Sequence, residues 1–444
     1  MRQTKLKILI ISSGNFFSTY GGGQVYVKNL VDELIRQGSY PTIASPGKQS
    51  DGVQNYQGCN VFVFAPTAEQ PQLEELLQTI KPDIVHAHGY KASFTKACNT
   101  IGIPCIITAH HGGILCPAGT LLNYRDQICH TIVSHDNCLP CVLKNIRWGM
   151  AAWPILRMVP LGIRLEIGRW LKKIPFIPYL TTVVQSALSI KNKAKEWDTI
   201  CKKTWVLIAP SNAIAESMKI NGAKKDKIVI VPHGIPLPKG RTPEKYINTK
   251  RTTSVRFFFV GRICHVKGVH TMLEAFQKVC DPAELHIIGG TGNKTEHRYM
   301  KALVKKYKSD LRITWHGKIA HNKVNELITH FDIMIHPSIC LEVFGLNISE
   351  ALAMGKPVIA SRCGGAEMQI VDNVNGWLVK PNDIAALRHM IMLIVKEPHL
   401  TELTSKQIGP FRSLESHIID LKRIYRDIYE KKTDSHGCKF SFPI

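Results

Sequence analysis

The stretch "LEVFGLNISEALAMGKPVIASRCGG" (341–365) sets Glu342 before a Phe-Gly turn and Glu350 eight positions later. Upstream, "FDIMIHPS" (331–338) is an apolar run that ends at a proline and reads as a buried strand. Downstream, Leu346, Ile348, Ala351 and Leu352 suit a short helix, stopped by Gly355 and Pro357, and "PVIAS" (357–361) follows as a second buried strand. In an open parallel sheet, ligands bind where loops leave the carboxyl ends of strands. Glu342 falls in such a loop. Unpaired backbone N–H groups at Leu346 and Asn347 open the helix and favour an anion there. Glu350, one turn deeper, is placed to accept from neutral hydroxyls. On the residues alone, two solvated glutamates on a surface helix would give the same spacing.

The chain has 444 residues, enough for two or three domains of about 150 residues each. Lysine plus arginine outnumber aspartate plus glutamate 57 to 34, so the net charge of +23 calls for an anionic partner. The basic residues are spread along the chain rather than massed in a block, which argues against nucleic acid. "LKILIISS" (6–13) is too short for the apolar core of a secretion signal and reads as a first buried strand. "IPFIPYLTTVVQSALSI" (174–190) carries two prolines and several polar groups, so no membrane-spanning segment is expected. Thirteen cysteines without a secretion signal suit a thiol-rich cytoplasmic protein.

Alternating strands and helices fill both halves and predict doubly wound α/β sheets. The first half runs from "KILIISSG" through "VFVFAP" (61–66), "DIVHAH" (83–88), "CIITAHH" (105–111) and "VLIAPS" (206–211) to "KIVIVPHGI" (227–235). A polar linker, "PLPKGRTPEKYINTKRTTS" (236–254), precedes a restart at "VRFFFVGR" (255–262), followed by "ELHIIGG" (284–290) and "RITWHG" (312–317). We therefore divide the chain into 1–236, with an insertion at about 112–204, then 237–411, then a C-terminal helix and tail at 412–444.

Three further constellations carry chemistry. In "GRICHVKG" the strand-end Gly261 lets the backbone turn, and Arg262 and Lys267 can converge above the sheet edge as phosphate-binding cations. Gly21 and Gly22 stand directly before a helix and offer N–H groups to a phosphate. His110 ends a strand and can donate to a substrate hydroxyl. The other strand-end histidines, His86, His88, His316 and His336, read as structural.

Taken together, the Gly21-Gly22 turn, "IITAHH", "IAPSNAIAESM…KIVIVPHGI", "FVGRICHVKG" and the E-x7-E unit with "GKPVIASRCGG" resemble the retaining GT-B glycosyltransferases of family 4, the glycosyl transferases group 1. The resemblance runs over nearly the whole chain. It implies two Rossmann-like domains facing a cleft, with a C-terminal helix packed back on the N-terminal domain. It also implies a nucleotide-diphosphate sugar as donor, a hydroxyl acceptor, retention at the anomeric carbon and no donor-site metal. Arg262, Lys267 and the backbone at Leu346–Asn347, after the Phe344-Gly345 turn, would hold the diphosphate. Glu350 would hold the ribose and Glu342 the transferred sugar. Gly22 would touch the phosphate from the other domain, and His110 would lie beside the sugar. Two positions depart from the family pattern: Met368, with Glu367 just before it, stands where an acid is usual, and His111 where aspartate is usual. A GT-B epimerase, a phosphorylase and a non-catalytic sugar-nucleotide binder are the competing readings.

Cys116, Cys129, Cys138 and Cys141 suit a structural zinc site by count and by the closing C-x2-C; buried thiols or a redox pair would suit them as well. The stretch 147–179, with six basic residues and one acidic among tryptophans and aliphatics, predicts attachment to an anionic membrane surface, the cytoplasmic face of the inner membrane, near a lipid-linked saccharide acceptor.

Overall fold

A computed structural model describes residues 6–18, 22–48, 51–146, 149–171, 178–236, 254–279, 282–409 and 411–434. Gly21, residues 237–253 of the expected linker, and residues 147–148 and 172–177 of the expected membrane-facing stretch lie outside the described residues. The chain falls into two compact units, Met1–Gly119 with His130–Pro236 and Ser413–Ile444, and Thr120–Cys129 with Leu237–Arg412.

In the first unit β1 (Ile8–Ile11), α1 (Gly22–Arg36), β2 (Thr42–Pro46), β3 (Val53–Tyr56), β4 (Cys59–Phe64), α2 (Gln70–Ile80), β5 (Ile84–Ala87), α3 (Lys91–Thr100) and β6 (Cys105–Thr108) follow one another. Helices α4 (His135–Lys144), α5 (Trp153–Leu156), α6 (Leu161–Leu171) and α7 (Pro178–Lys203) make up the insertion, and β7 (Val206–Ala209), α8 (Asn212–Ile220) and β8 (Ile228–Ile230) complete the sheet. Its order is β3-β4-β2-β1-β5-β6-β7-β8, parallel except for the antiparallel β3–β4 pair at one edge. The central strands are buried along nearly their whole length, as their Ile/Val/Leu-rich runs require of a sheet covered on both faces.

The second unit holds β9 (Val255–Val260), α9 (Val269–Gln277), β10 (Ala283–Ile288), α10 (Lys294–Lys306), β11 (Ile313–Gly317), α11 (His321–Ile328), β12 (Ile333–His336), α12 (Leu346–Ala353), β13 (Val358–Ser361), β14 (Gly376–Val379), α13 (Ile384–Lys396) and α14 (His399–Lys406). Its six strands are all parallel, in the order β11-β10-β9-β12-β13-β14. Helix starts are fixed locally: Asn293 accepts from the Glu296 N–H at 2.9 Å and Asp383 from the Ala386 N–H at 2.9 Å.

Two segments belong to a different unit from their sequence neighbours. Residues 120–129 form a small hairpin, bridged at Leu122 and Ile128, that is part of the second unit. Leu122 is buried with Ile339 and Cys340 against Val266, and Asp126 Oδ1 lies 3.1 Å from His265 Nε2. The last helix, α15 (Leu414–Asp434), belongs to the first unit, as the fold class expected. Its Leu414, Ile418, Leu421, Tyr425 and Ile428 recur at helical spacing and enter the same core as Tyr26, Val27, Leu30 and Leu34 of α1.

Leu421 is fully buried there, whereas Ile419 is half exposed on the same helix. We expect Leu421→Ala to cost about 2–5 kcal/mol in urea unfolding followed by circular dichroism, and Ile419→Ala about 0.5 kcal/mol or less. Equal effects would show that the helix does not complete this core.

Candidate functional site

The E-x7-E unit lies among the loops at the carboxyl ends of β9, β12 and β13. After β9, residues 265–267 make one 3-10 turn closed by Gly268 at φ +65°. A Cβ at Gly268 would stand 1.9 Å from the carbonyl oxygen of Pro337, so only glycine lets this turn press against the end of β12. That approach carries Lys267 onto Glu342.

The Lys267 ammonium donates to Glu342 Oε1 at 2.5 Å, and the Ser338 hydroxyl donates to the same oxygen at 2.5 Å. Burial alone would push the Glu342 carboxyl up, but Lys267, His336 and the two hydrogen bonds outweigh it and hold it down at about 2. Burial likewise works against the Lys267 charge, and Glu342 overcomes it, raising the amine above its ordinary range. Glu342 Oε2 accepts no hydrogen bond from the described residues, so this oxygen can take a ligand hydroxyl. The backbone is pinned as well: Glu342 N–H donates to Cys363 at 2.7 Å and its carbonyl accepts from Gly365 at 3.0 Å.

Gly345, left-handed at φ +86°, opens α12 and leaves the first N–H groups of that helix pointing out of it. Asn347 ties the helix start to the end of β9 by donating to the Val260 carbonyl at 2.8 Å. Gln369, which sequence reading passed over, braces the Phe344-Gly345 turn: its amide donates to Phe344 O at 2.5 Å and Gly365 O at 3.1 Å, and accepts from Ser349 at 2.5 Å. Glu367, the acid beside the departure at Met368, caps its own turn by accepting from the Gly364 N–H at 2.9 Å. Glu350 is half-buried on the second turn of α12.

Arg262 and Lys267 are paired with different carboxylates, Glu296 and Glu342. Each cation pairs with the carboxylate nearest to it, and Arg262 is 3.3 Å from Glu296 Oε1 while more than half exposed. Glu296 also accepts from the Gly292 N–H at 2.6 Å. An exposed pair of this kind is worth about 1 kcal/mol or less, so Arg262 can leave it readily.

In the first unit, α1 begins at Gly22, and a Cβ built on Gly23 would sit 3.7 Å from the His110 side chain. His110 Nε2 is 2.7 Å from His88 Nδ1, and its ring stacks on His233 with centroids 5.5 Å apart. Burial, then His233, hold the His110 ring neutral, well below the ordinary histidine range. The structural reading of the strand-end histidines fits His86, whose two ring nitrogens contact Tyr425 and Thr108 at 2.7 Å. It fits less well at His88 and His336, because Nε2 of each is buried without a hydrogen-bond partner among the described residues.

The structure does not support the zinc expectation. Among the described residues no three or more Cys, His, Asp or Glu side chains gather as metal ligands. Cys116, Cys138 and Cys141 lie in the first unit and Cys129 in the second, and all four are thiols. The C-x2-C pair belongs to one face of α4, where Cys138 packs with Leu139, Leu143 and Ile190 as an apolar side chain.

Residues 20–128 match the family described as Glycosyltransferase Family 4, and residues 241–408 match Glycosyl transferases group 1. The chain belongs to this family of glycosyltransferases, and its two α/β units are those of the GT-B fold. The D-inositol 3-phosphate glycosyltransferase of Xylanimonas cellulosilytica is 30% identical over 189 residues, 40% of this chain and 45% of that protein. The chain thus aligns with under half the length of that relative. An uncharacterized glycosyltransferase of Methanocaldococcus jannaschii is 25% identical over 389 residues, 82% of each chain. The crystal structure of Anabaena HepE with UDP-glucose superposes at TM-score 0.65 and 15% identity, covering 96% of this chain and 100% of that one. Sucrose-phosphate synthase from Thermosynechococcus elongatus gives TM-score 0.66 at 17% identity, covering 96% and 99%.

Because the folded Glu342 carboxyl lies at about 2, below its ordinary 4.5, the stability it supplies is complete above pH 4.5 and is lost as pH falls towards 2. The stability difference between wild type and Glu342→Gln, from urea midpoints across that window, should shrink steadily with falling pH. A difference constant from pH 5 to pH 2 would refute the buried ion pair.

Proposed function

We propose that this chain is a retaining glycosyltransferase, moving a sugar from a nucleotide-diphosphate sugar to a hydroxyl acceptor in polysaccharide, O-antigen or glycolipid assembly, without a donor-site metal. The observation that carries the reading is Glu342, whose Oε1 is committed to Lys267 and Ser338 while Oε2 is left for a sugar hydroxyl, at the strand ends beside the open start of α12.

In this reading Lys267, Arg262 and the N–H groups of Leu346 and Asn347 take the diphosphate, with Gly261 allowing the turn that presents Arg262. Developing negative charge on the leaving group is met by two cations and a helix start, which is electrostatic catalysis. Glu350 accepts from the ribose hydroxyls. Gly21, Gly22 and His110 serve from the first unit, with His110 neutral and held in register by His88. Structures of HepE with UDP and with UDP-glucose support a nucleotide sugar as the donor class. A GT-B epimerase or a non-catalytic sugar-nucleotide binder is the alternative, and slow donor hydrolysis without acceptor separates a transferase from a binder.

Arg262→Ala and Glu350→Gln should each lower donor turnover by on the order of 100-fold, roughly 3 kcal/mol, without lowering the melting temperature. The donor is first chosen from a thermal-shift panel of nucleotide sugars. Turnover within threefold of wild type in both variants would sink the assignment.

The acceptor side is proposed to meet the cytoplasmic face of a membrane. No helix among the described residues is long and apolar enough to cross one. Yet α6 exposes Ile163, Ile167 and Trp170, spaced along a single face, and Ile155 and Met158 are exposed just before it beside Arg157. An apolar and aromatic face with an exposed cation, Arg157, beside it suits the interface of an anionic bilayer, although Arg164 on the same helix is buried. The protein should sediment with vesicles in proportion to their anionic lipid, less so at high salt, and Ile167→Glu should abolish this. Sedimentation indifferent to charge and to that substitution would remove the membrane from the account.

A further inference from the structure

The carboxylate of Glu342 has a third neighbour. His336 Nε2 lies 3.7 Å from Glu342 Oε1, beyond hydrogen-bond distance. The His336 side chain is almost fully buried at the end of β12, and this nitrogen has no hydrogen-bond partner among the described residues. A buried polar group left unsatisfied costs stability, so such groups are rare and call for an explanation.

The other ring nitrogen fixes where the proton sits. The Asn347 amide nitrogen spends one hydrogen on the Val260 carbonyl at 2.8 Å and faces His336 Nδ1 at 3.2 Å with the other. An amide NH2 can only donate, so Nδ1 accepts. Burial pushes the ring down to about 4, which keeps it neutral near pH 7, and a neutral ring that accepts at Nδ1 carries its hydrogen on Nε2. The unused donor is therefore an N–H beside the oxygen that Lys267 and Ser338 already share.

Lys267 has two demands on it if it also serves a diphosphate. An ammonium drawn towards phosphate weakens its hold on Glu342, and a buried carboxylate stripped of its partner is strongly unfavourable. Closing 3.7 Å to an ordinary hydrogen bond takes a movement of only about 0.8 Å.

We propose that His336 is a positioning residue that takes over Glu342 from Lys267 when Lys267 turns to the donor diphosphate, an inference resting on the reading of Lys267 as a diphosphate ligand. The exchange keeps Glu342 ionised and fixed while the cation works elsewhere. It also joins the start of α12, through Asn347, to the sugar-reading carboxylate in one line of hydrogen bonds.

The test is calorimetric titration of the full chain with uridine, adenosine and guanosine diphosphates, the tightest of them carrying the comparison. His336→Asn keeps an acceptor where Nδ1 stands and removes the distal N–H; His336→Gln puts an amide N–H near the position of Nε2. His336→Asn should weaken binding about tenfold and His336→Gln by about threefold or less, the size expected for one hydrogen bond to a charged group. Lys267→Ala should weaken binding in its own right, and His336→Asn added to it should change little, since there is no exchange left to support. Wild-type affinity in Lys267→Ala, or no binding of any of the three by wild type, overturns the reading of Lys267 and the exchange with it. A weakened Lys267→Ala beside an unaffected His336→Asn overturns the exchange alone. Should His336→Asn fail to fold, 15N-histidine spectra of wild type decide, with the His336 signal assigned from the Gln variant. The proposal requires the Nε2–H tautomer and a downfield shift of that proton on adding nucleotide; the Nδ1–H tautomer or an unmoved proton refutes it.

Discussion

A carboxylate taken out of water must be neutralised, and much of the second unit's loop geometry follows from meeting that demand at Glu342. Its charge is tolerable because Lys267 and Ser338 converge on one oxygen. Lys267 can reach it because Gly268 lets the 265–268 turn touch Pro337 where any side chain would collide. The loop bearing Glu342 holds its course because it pairs with residues 363–365, and Gln369 fastens that turn to Phe344. Each constraint is local, and together they commit one oxygen of a buried carboxylate and leave the other without a hydrogen bond from the described residues.

The first unit is organised around rings rather than charges. His86, His88, His110, His233 and His417 cluster with Tyr26 and Tyr425, and burial holds His86, His88 and His110 below the ordinary histidine range. Two of these residues, His417 and Tyr425, come from α15. His417 meets the Tyr26 hydroxyl at 2.5 Å and the Pro232 carbonyl at 2.9 Å. The last helix therefore supplies polar partners to the core of a domain whose sheet ends about 180 residues earlier in the chain, as well as apolar area.

What could be read from the sequence was whatever depends on neighbours along the chain. "KILII", "DIVHA", "CIIT" and "VRFFFV" are short, largely apolar runs, and each became a mostly buried strand. The face of α1 and the extent of α15 follow from helical spacing, and the strand-loop-helix-strand order around Glu342 follows from its punctuation. Strands β2 ("TIASP") and β14 ("GWLV") escaped because four or five residues with a proline, polar groups or a leading glycine carry too little pattern. Gln369 and Glu296 were invisible for another reason: an amide bracing a turn 25 residues away, or a carboxylate facing Arg262, is defined only by the fold. The four cysteines show the converse, a spacing that suggests metal although the fold distributes the thiols between units.

The hairpin at 120–129 bears on how such proteins can be recombined. It is encoded amid first-half residues, yet Leu122 packs on Ile339 and Cys340, and Asp126 faces His265. The helix 414–434 has the reverse allegiance. A chimera with a relative, spliced at the linker near residue 240, would mismatch both segments at once, setting a foreign loop against Val266 and a foreign helix against Tyr26. A graft that respects the packing moves two pieces, the central block and the ten-residue hairpin that goes with it, and leaves the last helix with its host.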